Sequence, residues 1–581
     1  AELVRVQYRE AQPELDFQRA KANAHKPENS GAAGKPDLAW GDPVDRGAAG
    51  ADVRIERTYT TPMEHHNPIE PHATLALWEG ERLTVYDSTQ YISGVKEVLS
   101  KTLGMAEDHV RVVSPFVGGG FGCKGSTWSH VVLAAMAARR TGRPVRLVLA
   151  RPQMFGPVGG RPLTEQRLLL AARRSGELLA VRHDVMAHTS VMEDFLEPAA
   201  APTRALYAVP SGETTHTVAP MNVGVPTFQR APGESTGTFA LESAMDELAY
   251  ELGIDPLELR LRNYADAEPS TGKPWSSKKL RECYAHAAER FGWSRRPMAP
   301  RSLRDGRWLV GWGMATATYP AHQRPASASA KILPDGSAIV RSGTQDIGTG
   351  TYTVMTQIAA EALAMPVERV RFELGDTLMP PAGVSGGSTT VASVAPAVHA
   401  ACVAAREKKN AAVAAGRSNE VVEAHASTEE SEEAKKFATR SFGAVFVEAR
   451  VDEDLGTIRV PRIVAAYSVG RAMNAKLARS QLMGGIVWGI SMALMEESLL
   501  DHRTGRIVNA NLAEYHVPVN ADVGEIDVSL CEEDDRRFNP LGGRGIGEIG
   551  ITGVPAAIAN AVFHATGRRI RDLPIQLDNL L

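Results

Sequence analysis

Cysteine is scarce in this chain: four residues in 581, Cys123, Cys283, Cys402 and Cys531, widely separated and without a CxxC pair. That spacing excludes a zinc or iron–sulfur site built by this chain alone, and it argues against a disulfide framework. An excess of basic charge is also missing, since 64 Lys and Arg against 68 Asp and Glu leave a net charge of -4. No electrostatic footprint for nucleic acid or an anionic membrane follows from that balance. The first ten residues, AELVRVQYRE, contain no apolar signal core. The longest apolar run, residues 482–495, is bounded by Gln481 and by Glu496 and Glu497. It is too short to span a bilayer, so a buried helix is expected, and its Gly484, Gly485 and Gly489 would let another backbone pack closely. What is present is ordinary for a globular protein: 43% hydrophobic and 23% charged residues, on a chain long enough for several domains' worth of core.

Residues 3–8 alternate like a strand, and the stretch to residue 51 is rich in Gly, Pro, Ala and charge, which reads as a long loop. Three helices carry clear signals. Residues 239–252 place Leu241, Ala244, Met245, Leu248, Ala249 and Leu252 on one face, with Gly253 as the stop. Asp255 and Pro256 open a second helix, with Glu258 at the capping-box position. The last begins near Pro555 and ends at Gly567. Residues 403–436, poor in apolar content and ending in EESEEAKK, read as a solvated surface segment. A faint internal echo joins STQ (residues 88–90) to GTQ (343–345): each precedes a helical stretch, a strand and a glycine cluster. Two similar halves around one ligand would explain it, and so would coincidence.

Several loops carry candidate chemistry. GRGIGEIG, Gly543 to Gly550, contains a formal GxGxxG with the single carboxylate Glu548 in it. A Rossmann loop needs a strand leading directly into it, whereas the charged, Pro-containing EEDDRRFNPLGGR precedes this one. VGGGFGCKG (residues 117–125) lacks the GK[ST] of a phosphate loop, yet a strand ending in bare glycines suggests backbone amides offered to an extended ligand. MEHHNPIEPH supplies Glu64, His65, His66, Glu70 and His72, but Pro68 and Pro71 rule out the helical spacing of an HExxH metal site, so a turn with satisfied polar groups is expected. QRAPGE (229–234) and GGSTTVAS (386–393) add two more small-residue loops. Together these imply one large, flat ligand contacted mostly by main chain.

In that order, GGGFGCKG, QRAPGE, TQDIGTGTYT, TTVAS, GRAMNAKLARSQ and GRGIGEIG resemble the molybdenum-binding subunit of the xanthine dehydrogenase/aldehyde oxidase family, closest to its bacterial aldehyde oxidoreductase branch. The resemblance covers nearly the whole chain. It implies an α+β fold: two large mixed α/β molybdopterin-binding domains facing each other across the cofactor, with a remnant strand of an N-terminal hammerhead domain. The implied boundaries are 1–22 for that remnant, 23–51 for a linker, 52–295 for the first large domain and 308–581 for the second. The implied cofactor is molybdenum with molybdopterin cytosine dinucleotide, the metal being held by the pterin dithiolene and not by side chains. Its implied contacts are Gln90, Gly120, Phe121, Arg230, Ala231, Thr349, Gly350, Thr351, Ala392 and Ser393. Further along they are Arg471, Ala472, Met473, Asn474, Ala475, Lys476, Leu477 and Gln481, then Arg544, Gly545, Ile546 and Gly547. Glu548 matches the catalytic glutamate. Ile546 and Ile549 would keep water from it and raise its pKa, and the helix near Pro555 would aim its positive end at the anionic site.

The implied reaction is oxidation of an aldehyde to a carboxylic acid, with water as oxygen source and Glu548 as general base. Electrons would pass to 2Fe–2S clusters and FAD on partner chains, an iron–sulfur subunit and a flavin subunit. The alternatives are oxidation of an N-heterocycle such as a purine, or a non-catalytic cofactor-binding subunit. Purine-specific relatives carry a glutamate where this chain has Gly125, and carbon monoxide dehydrogenases carry a cysteine in the loop matching PTFQRAPGE, where this chain has none. An aldehyde substrate, favouring aromatic ones, is therefore expected. The sequence does not choose between cytoplasm and periplasm.

Overall fold

The computed structural model describes residues 5–7, 9, 11–27, 35–429 and 432–580. Two short helices, α1 (Phe17–Ala20) and α2 (Val44–Gly47), flank the edge strand β1 (Leu38–Trp40). The chain then runs β2 (Val53–Thr61), β3 (Ala73–Glu79), β4 (Arg82–Asp87), α3 (Ile92–Leu103), β5 (Val110–Val113), α4 (Ser129–Thr141) and β6 (Val145–Val148). There follow β7 (Thr164–Ala172), β8 (Leu178–Ser190), β9 (Ser211–Met221), α5 (Glu234–Leu252), α6 (Pro256–Arg262) and α7 (Leu280–Phe291). The second half contains β10 (Leu303–Asp305), β11 (Trp308–Pro320), β12 (Ala326–Ile332), β13 (Ala338–Arg341), α8 (Thr351–Leu363), β14 (Val370–Glu373), α9 (Thr390–Ala414) and β15 (Val422–Thr428). It closes with β16 (Arg440–Asp452), β17 (Ile458–Ser468), α10 (Ala475–Leu494), the two-residue strands β18 (Leu500–Asp501) and β19 (Arg506–Ile507), β20 (Glu525–Leu530) and α11 (Val554–Thr566).

The halves repeat one topology. The five-stranded sheets have the orders β1-β9-β8-β7-β2 and β10-β11-β16-β17-β20. Apart from the edge strands β1 and β10, β2, β7, β8 and β9 correspond to β11, β16, β17 and β20: two antiparallel joins, then a parallel one. The four-stranded sheets, β5-β4-β3-β6 and β14-β13-β12-β15, also correspond, each with one parallel pair (β4 with β5, β13 with β14). STQ follows β4 and precedes α3, and GTQ follows β13 and precedes α8, so the faint echo marks equivalent turns. The halves share a core. Tyr59 and Phe239 belong to the same buried cluster as Phe442, Val554, Leu573 and Ile575.

Helices α5 and α11 each follow the last strand of a five-stranded sheet and are buried along nearly their whole length. Gly311 and Gly313 of β11 let α11 lie flat on the sheet: a Cβ there would come 1.9 Å from Ala561 O and 2.3 Å from Ala557 O. The segment Ile549–Thr566 is apolar enough to cross a membrane but is 94% buried inside the protein, as a core helix should be. Helix α10 holds the expected apolar run. Its Gly489 abuts Val554 and its Gly485 abuts the backbone of Gly550, whereas Gly484 faces the Arg230 guanidinium. A Cβ at position 485 would lie 2.6 Å from Gly550 C and 2.7 Å from its Cα. Gly485→Ala is therefore expected to destabilise the protein by about 1–3 kcal/mol, because backbone cannot swing aside as a flexible side chain does. A lowered urea midpoint with an unchanged slope checks this; an unmoved midpoint would mean that the Gly550 segment relaxes freely.

Four sequence expectations need correction. Residues 23–51 are not simply a linker: Leu38–Trp40 pairs with β9, Trp40 Nε1 donates to Val209 O at 3.0 Å, and Val44 and Ala48 are buried against Leu169, Ala171 and Ala180. A few well-placed apolar residues suffice for an edge, and average composition hides them. Residues 403–436 are not a loose surface segment, since they contain the end of α9 and strand β15, with Ala405, Ala412, Val422 and Ala424 in the core of the second small sheet. Within residues 1–22, α1 packs Phe17 and Ala20 on Ala219 and Met221 of β9. Leu3, Val4 and Tyr8 of the expected strand lie outside the described residues, and residues 5–7 form no strand. At α6 the Asp255 carboxylate caps Leu257 N and Glu258 N, but Glu258 pairs with Arg262 at 2.8 Å and does not close a box.

Candidate active site

One cleft of about 2140 Å³ opens where the two halves meet. Its wall is made from the turns that the topology places at the ends of strands. Gln90 follows β4, Gly119, Phe121 and Gly122 lie between β5 and α4, and Arg230 and Glu234 precede or open α5. The second half supplies Thr349 and Thr351 after β13, Ser385 to Ser388 before α9, the segment from Arg471 to Gln481, and Arg544 to Glu548 before α11. Gln90 bridges the halves: its Nε2 donates to Ser385 O at 2.8 Å, and its Oε1 accepts from Gly122 N at 3.0 Å. A Cβ at 120 would meet Gln90 Oε1 at 2.3 Å and push the bridging amide aside. Gly122, at φ 124°, would likewise strike Phe228 O at 1.9 Å. Phe121 sits at φ 58°, with its ring edge-on to Trp488 at 4.9 Å.

Glu548 is held by neutral donors. Its Oε1 accepts from Ala231 N at 3.2 Å and its Oε2 from Ser388 Oγ at 2.8 Å, and the Tyr319 side chain lines the cleft beside it. Arg230 does not bond the carboxylate. It donates from Nε to Gly547 O at 2.9 Å and from Nη2 to Gln481 O at 2.7 Å, so it ties three segments of the wall together. Burial raises the Glu548 pKa above the ordinary carboxylate range, against the pull of its hydrogen bonds and of Arg230. The main-chain donor to the carboxylate is Ala231, in the loop ahead of α5. Ile549 is fully buried beneath the carboxylate's own segment, and Ile546 lines the cleft.

The remaining sequence candidates divide between the wall and the layer behind it. Thr349 and Thr351 line the cleft; Gly350, at φ 80°, lies against Leu477, and Asp346 Oδ1 gathers the amides of Gly348, Thr349 and Gly350. Arg471, Ala472, Met473, Asn474, Leu477 and Gln481 face the cleft. Ala475 and Lys476 are exposed and off the wall, because Asn474 caps α10 through Leu477 N and starts the helix turning away. Ala392 and Ser393 lie behind the wall, where Ala392 O accepts from Gln323 Nε2 and Ser393 Oγ from Arg324 N. Gly545 backs onto Ser388, and its carbonyl accepts from Ser441 Oγ at 2.8 Å. The Arg544 guanidinium bonds Ser277 O, Ser468 Oγ, Asp535 and Glu533, so it anchors its loop.

Each histidine of the turn has a protein partner, and so does Glu64, although Glu64 Oε1 and His72 Nδ1 are left without one. His65 Nδ1 meets Ser498 Oγ at 2.7 Å, His66 Nε2 meets Phe228 O at 2.8 Å, His72 Nε2 meets Cys123 O at 3.3 Å, and Glu64 pairs with Arg161 at 2.8 Å. Burial pushes all three imidazoles well down, so they are neutral. The GxGxxG is not led in by a strand, since β20 ends at Leu530.

Sequence reasoning missed Ser388, Tyr319, Glu234 and Arg440. Ser388 lay in a loop flagged only for small residues. Tyr319 reads as an ordinary strand aromatic, Glu234 as a first-turn helix acid and Arg440 as a strand end. An aromatic lining, Phe195, Phe228 and Phe121 with Trp488, was not visible either; Phe195 and Phe228 meet edge-on at 5.9 Å.

Comparison with known proteins adds a matching pattern. Residues 24–264 match a family model described as a molybdopterin cofactor-binding domain, and residues 286–428 and 411–524 match a second model of the same description. The chain is 39% identical to the aldehyde oxidoreductase molybdenum-binding subunit PaoC of Escherichia coli O157:H7, over 94% of this chain and 78% of that one. It is 31% identical to the putative xanthine dehydrogenase molybdenum-binding subunit XdhA of Escherichia coli (strain K12), over 90% and 76%. Among solved structures, the aldehyde oxidoreductase from Desulfovibrio gigas superposes with a TM-score of 0.86 at 23% identity, covering 98% of this chain. This chain spans 66% of that longer one.

Proposed function

The chain belongs to the molybdopterin-binding subunits of the xanthine dehydrogenase/aldehyde oxidase family, and from that premise we propose that it oxidises aldehydes, preferring aromatic ones, to carboxylic acids. The observation that carries this reading is Glu548, a half-buried carboxylate facing the cleft with only neutral donors on it. The residues fit the cofactor. The cleft exceeds the roughly 300–1,000 Å³ that suits a drug-sized ligand, so it has room for a dinucleotide pterin and a substrate. Gly120 and Gly545, where a Cβ would collide with Gln90 or Ser388, show how closely backbone is drawn up behind the wall. Gln90 and Phe121 would face the metal end, and Thr349, Thr351, Arg471, Asn474 and Gln481 would hold the pterin and its nucleotide, which we take to be cytosine. When bound, the cofactor supplies a two-electron acceptor and a site at which water is activated.

The protein's own residues do the rest. Glu548 takes a proton as oxygen adds to the aldehyde carbon, and its raised pKa keeps it a strong enough base to do so. Ser388 and Ala231 fix its orientation. Phe121, Phe195, Phe228 and Trp488 offer apolar faces and edges to an aromatic ring. Gly125, on the same wall, provides no carboxylate for a purine. Electrons would leave to iron–sulfur and flavin partners, because the free cysteines bring only Cys283 and Cys531 together, at 3.2 Å, and among the described residues no cluster of three or more ligating side chains forms. The test is metal and nucleotide analysis of the purified complex, with aromatic-aldehyde turnover measured against a dye acceptor. Molybdenum and a cytosine nucleotide in equal amounts, with turnover of benzaldehyde but not of xanthine, is the expected result. Turnover of xanthine alone, or a complex free of molybdenum that still oxidises aldehyde, would overturn it.

A further inference from the structure

The proposed chemistry needs one carboxylate to accept a proton, but the cleft wall holds five, Asp194, Glu234, Glu429, Glu496 and Glu548, and of these Glu548 acts on Glu234. These two belong to the segments that lead into the long core helices. Glu234 opens α5 after β9, and Glu548 lies between β20 and α11. Their partners differ. Glu234 Oε1 accepts from Arg440 Nη2 at 2.8 Å, and Arg440 Nε donates to Thr318 Oγ1 at 3.0 Å. Glu234 and the Arg440 side chain are almost completely buried, so water does little to screen this pair. Glu548 bonds no cation.

The other charged and titratable groups facing this region come from several elements. Arg230 serves the carbonyls of Gly547 and Gln481. Tyr319, at the end of β11, lines the cleft and is influenced by both carboxylates. His322 is held neutral by burial and by the charges of Arg440 and Arg324, the latter also on the cleft wall. Burial raises the pKa of Glu234 to about 7, Arg440 keeps it from rising further, and the charge of Glu548 adds a smaller upward push. Two carboxylates in one poorly hydrated pocket compete for a single proton unless a cation neutralises one of them.

We propose that Arg440 is a positioning residue for the reaction: by neutralising Glu234, it directs the proton to Glu548 alone. The inference builds on the role assigned to Glu548, but one arm of its test does not depend on turnover. That arm compares melting temperature across pH for the intact complex and for the same complex carrying Glu548→Gln. A carboxyl group whose pKa is higher folded than unfolded costs stability as pH rises through the unfolded value, and the cost levels off at the folded value. The levelling pH therefore reports the protonation of Glu548 directly. The second arm is the acid limb of the kcat–pH profile.

In Arg440→Gln, both midpoints should move up by about one pH unit or more, a tenfold change in proton affinity. In Glu234→Gln they should move down, because Arg440 is left unpaired nearby. The double variant Glu234→Gln/Arg440→Gln should return both to the wild-type position, and Arg440→Lys should stay close to it. A purely structural Arg440 would lower activity or stability at every pH without moving either midpoint, and that result overturns the proposal, as does a double variant displaced as far as Arg440→Gln. Should Arg440→Gln fail to fold, the downward shift in Glu234→Gln decides alone. Full turnover in Glu548→Gln would instead remove the assigned role of Glu548, with the melting data still reporting on the pair.

Discussion

Replacing Glu548 by Gln is expected to lower aldehyde turnover by about 10³-fold, within the roughly 10²- to 10⁴-fold that a positioned general base contributes. The protein should stay folded and keep its molybdenum. Gln has the same length, and its amide oxygen can still accept from Ala231 N or Ser388 Oγ, the two donors that hold the wild-type carboxylate. The amide cannot take a proton. The loss should therefore fall on kcat, with KM for the aldehyde little changed, because the aromatic lining is untouched. The pH dependence gives a second check. The carboxylate acts in its ionised form, so wild-type turnover should fall as pH drops through a pKa that burial raises above the ordinary carboxylate value. The residual activity of Glu548→Gln should lack that acid limb. Steady-state kinetics across pH on metal-replete enzyme makes the measurement, and turnover within a few fold of wild type would remove Glu548 from the mechanism.

The loops of the site could be read from sequence because each demands small residues for a steric reason. Gly120 and Gly122 are examples: adjoining groups occupy the space of a Cβ, so the requirement is written in the residue itself. Helix boundaries at Gly253 and Gly567 were legible for a similar local reason, the left-handed C-cap. The partners of the base were not legible. Ser388 lies 160 residues from Glu548, and Ala231 lies 317 away. No local pattern ties a strand-end arginine such as Arg440 to a helix-opening glutamate 206 residues earlier. The repeat was only faintly visible because topology, and not residue identity, is what the halves share: STQ and GTQ occupy the same turn, yet the helix after the second small sheet's parallel pair, α9, is 25 residues long against 13 for α4. Composition misled at residues 23–51 and 403–436, where the few buried side chains are diluted by polar neighbours.

Arg544→Met should be the most damaging single change to the architecture of the site. The family resemblance places Arg544 among the cofactor contacts, but the structure shows its guanidinium enclosed by protein. Nη1 donates to Ser277 O at 2.6 Å and to Asp535 Oδ2 at 3.3 Å, and Nη2 donates to Ser468 Oγ at 2.8 Å and to Glu533. The arginine side chain is fully buried, as is that of Asp535, and Glu533 is nearly so. Methionine would fill much of the volume but would leave two carboxylates in a dry pocket without their cation. Removing one partner of a buried pair in this way costs about 3–5 kcal/mol, because the remaining charge is neither solvated nor matched. The effect should reach the cleft through the chain, since residue 544 is four positions before Glu548 and Arg544 N also donates to Val469 O at 2.8 Å. The expected outcome is a clear fall in melting temperature together with loss of bound molybdenum. Arg544→Lys should recover part of both, because a single ammonium can serve one carboxylate but not the whole fork of acceptors. Unfolding midpoints and metal content measured on the same preparations decide the point. An Arg544→Met protein with wild-type stability and full metal would show that Glu533 and Asp535 find protons or water there, and that the loop carrying Glu548 is held mainly by Arg230 and Ser441.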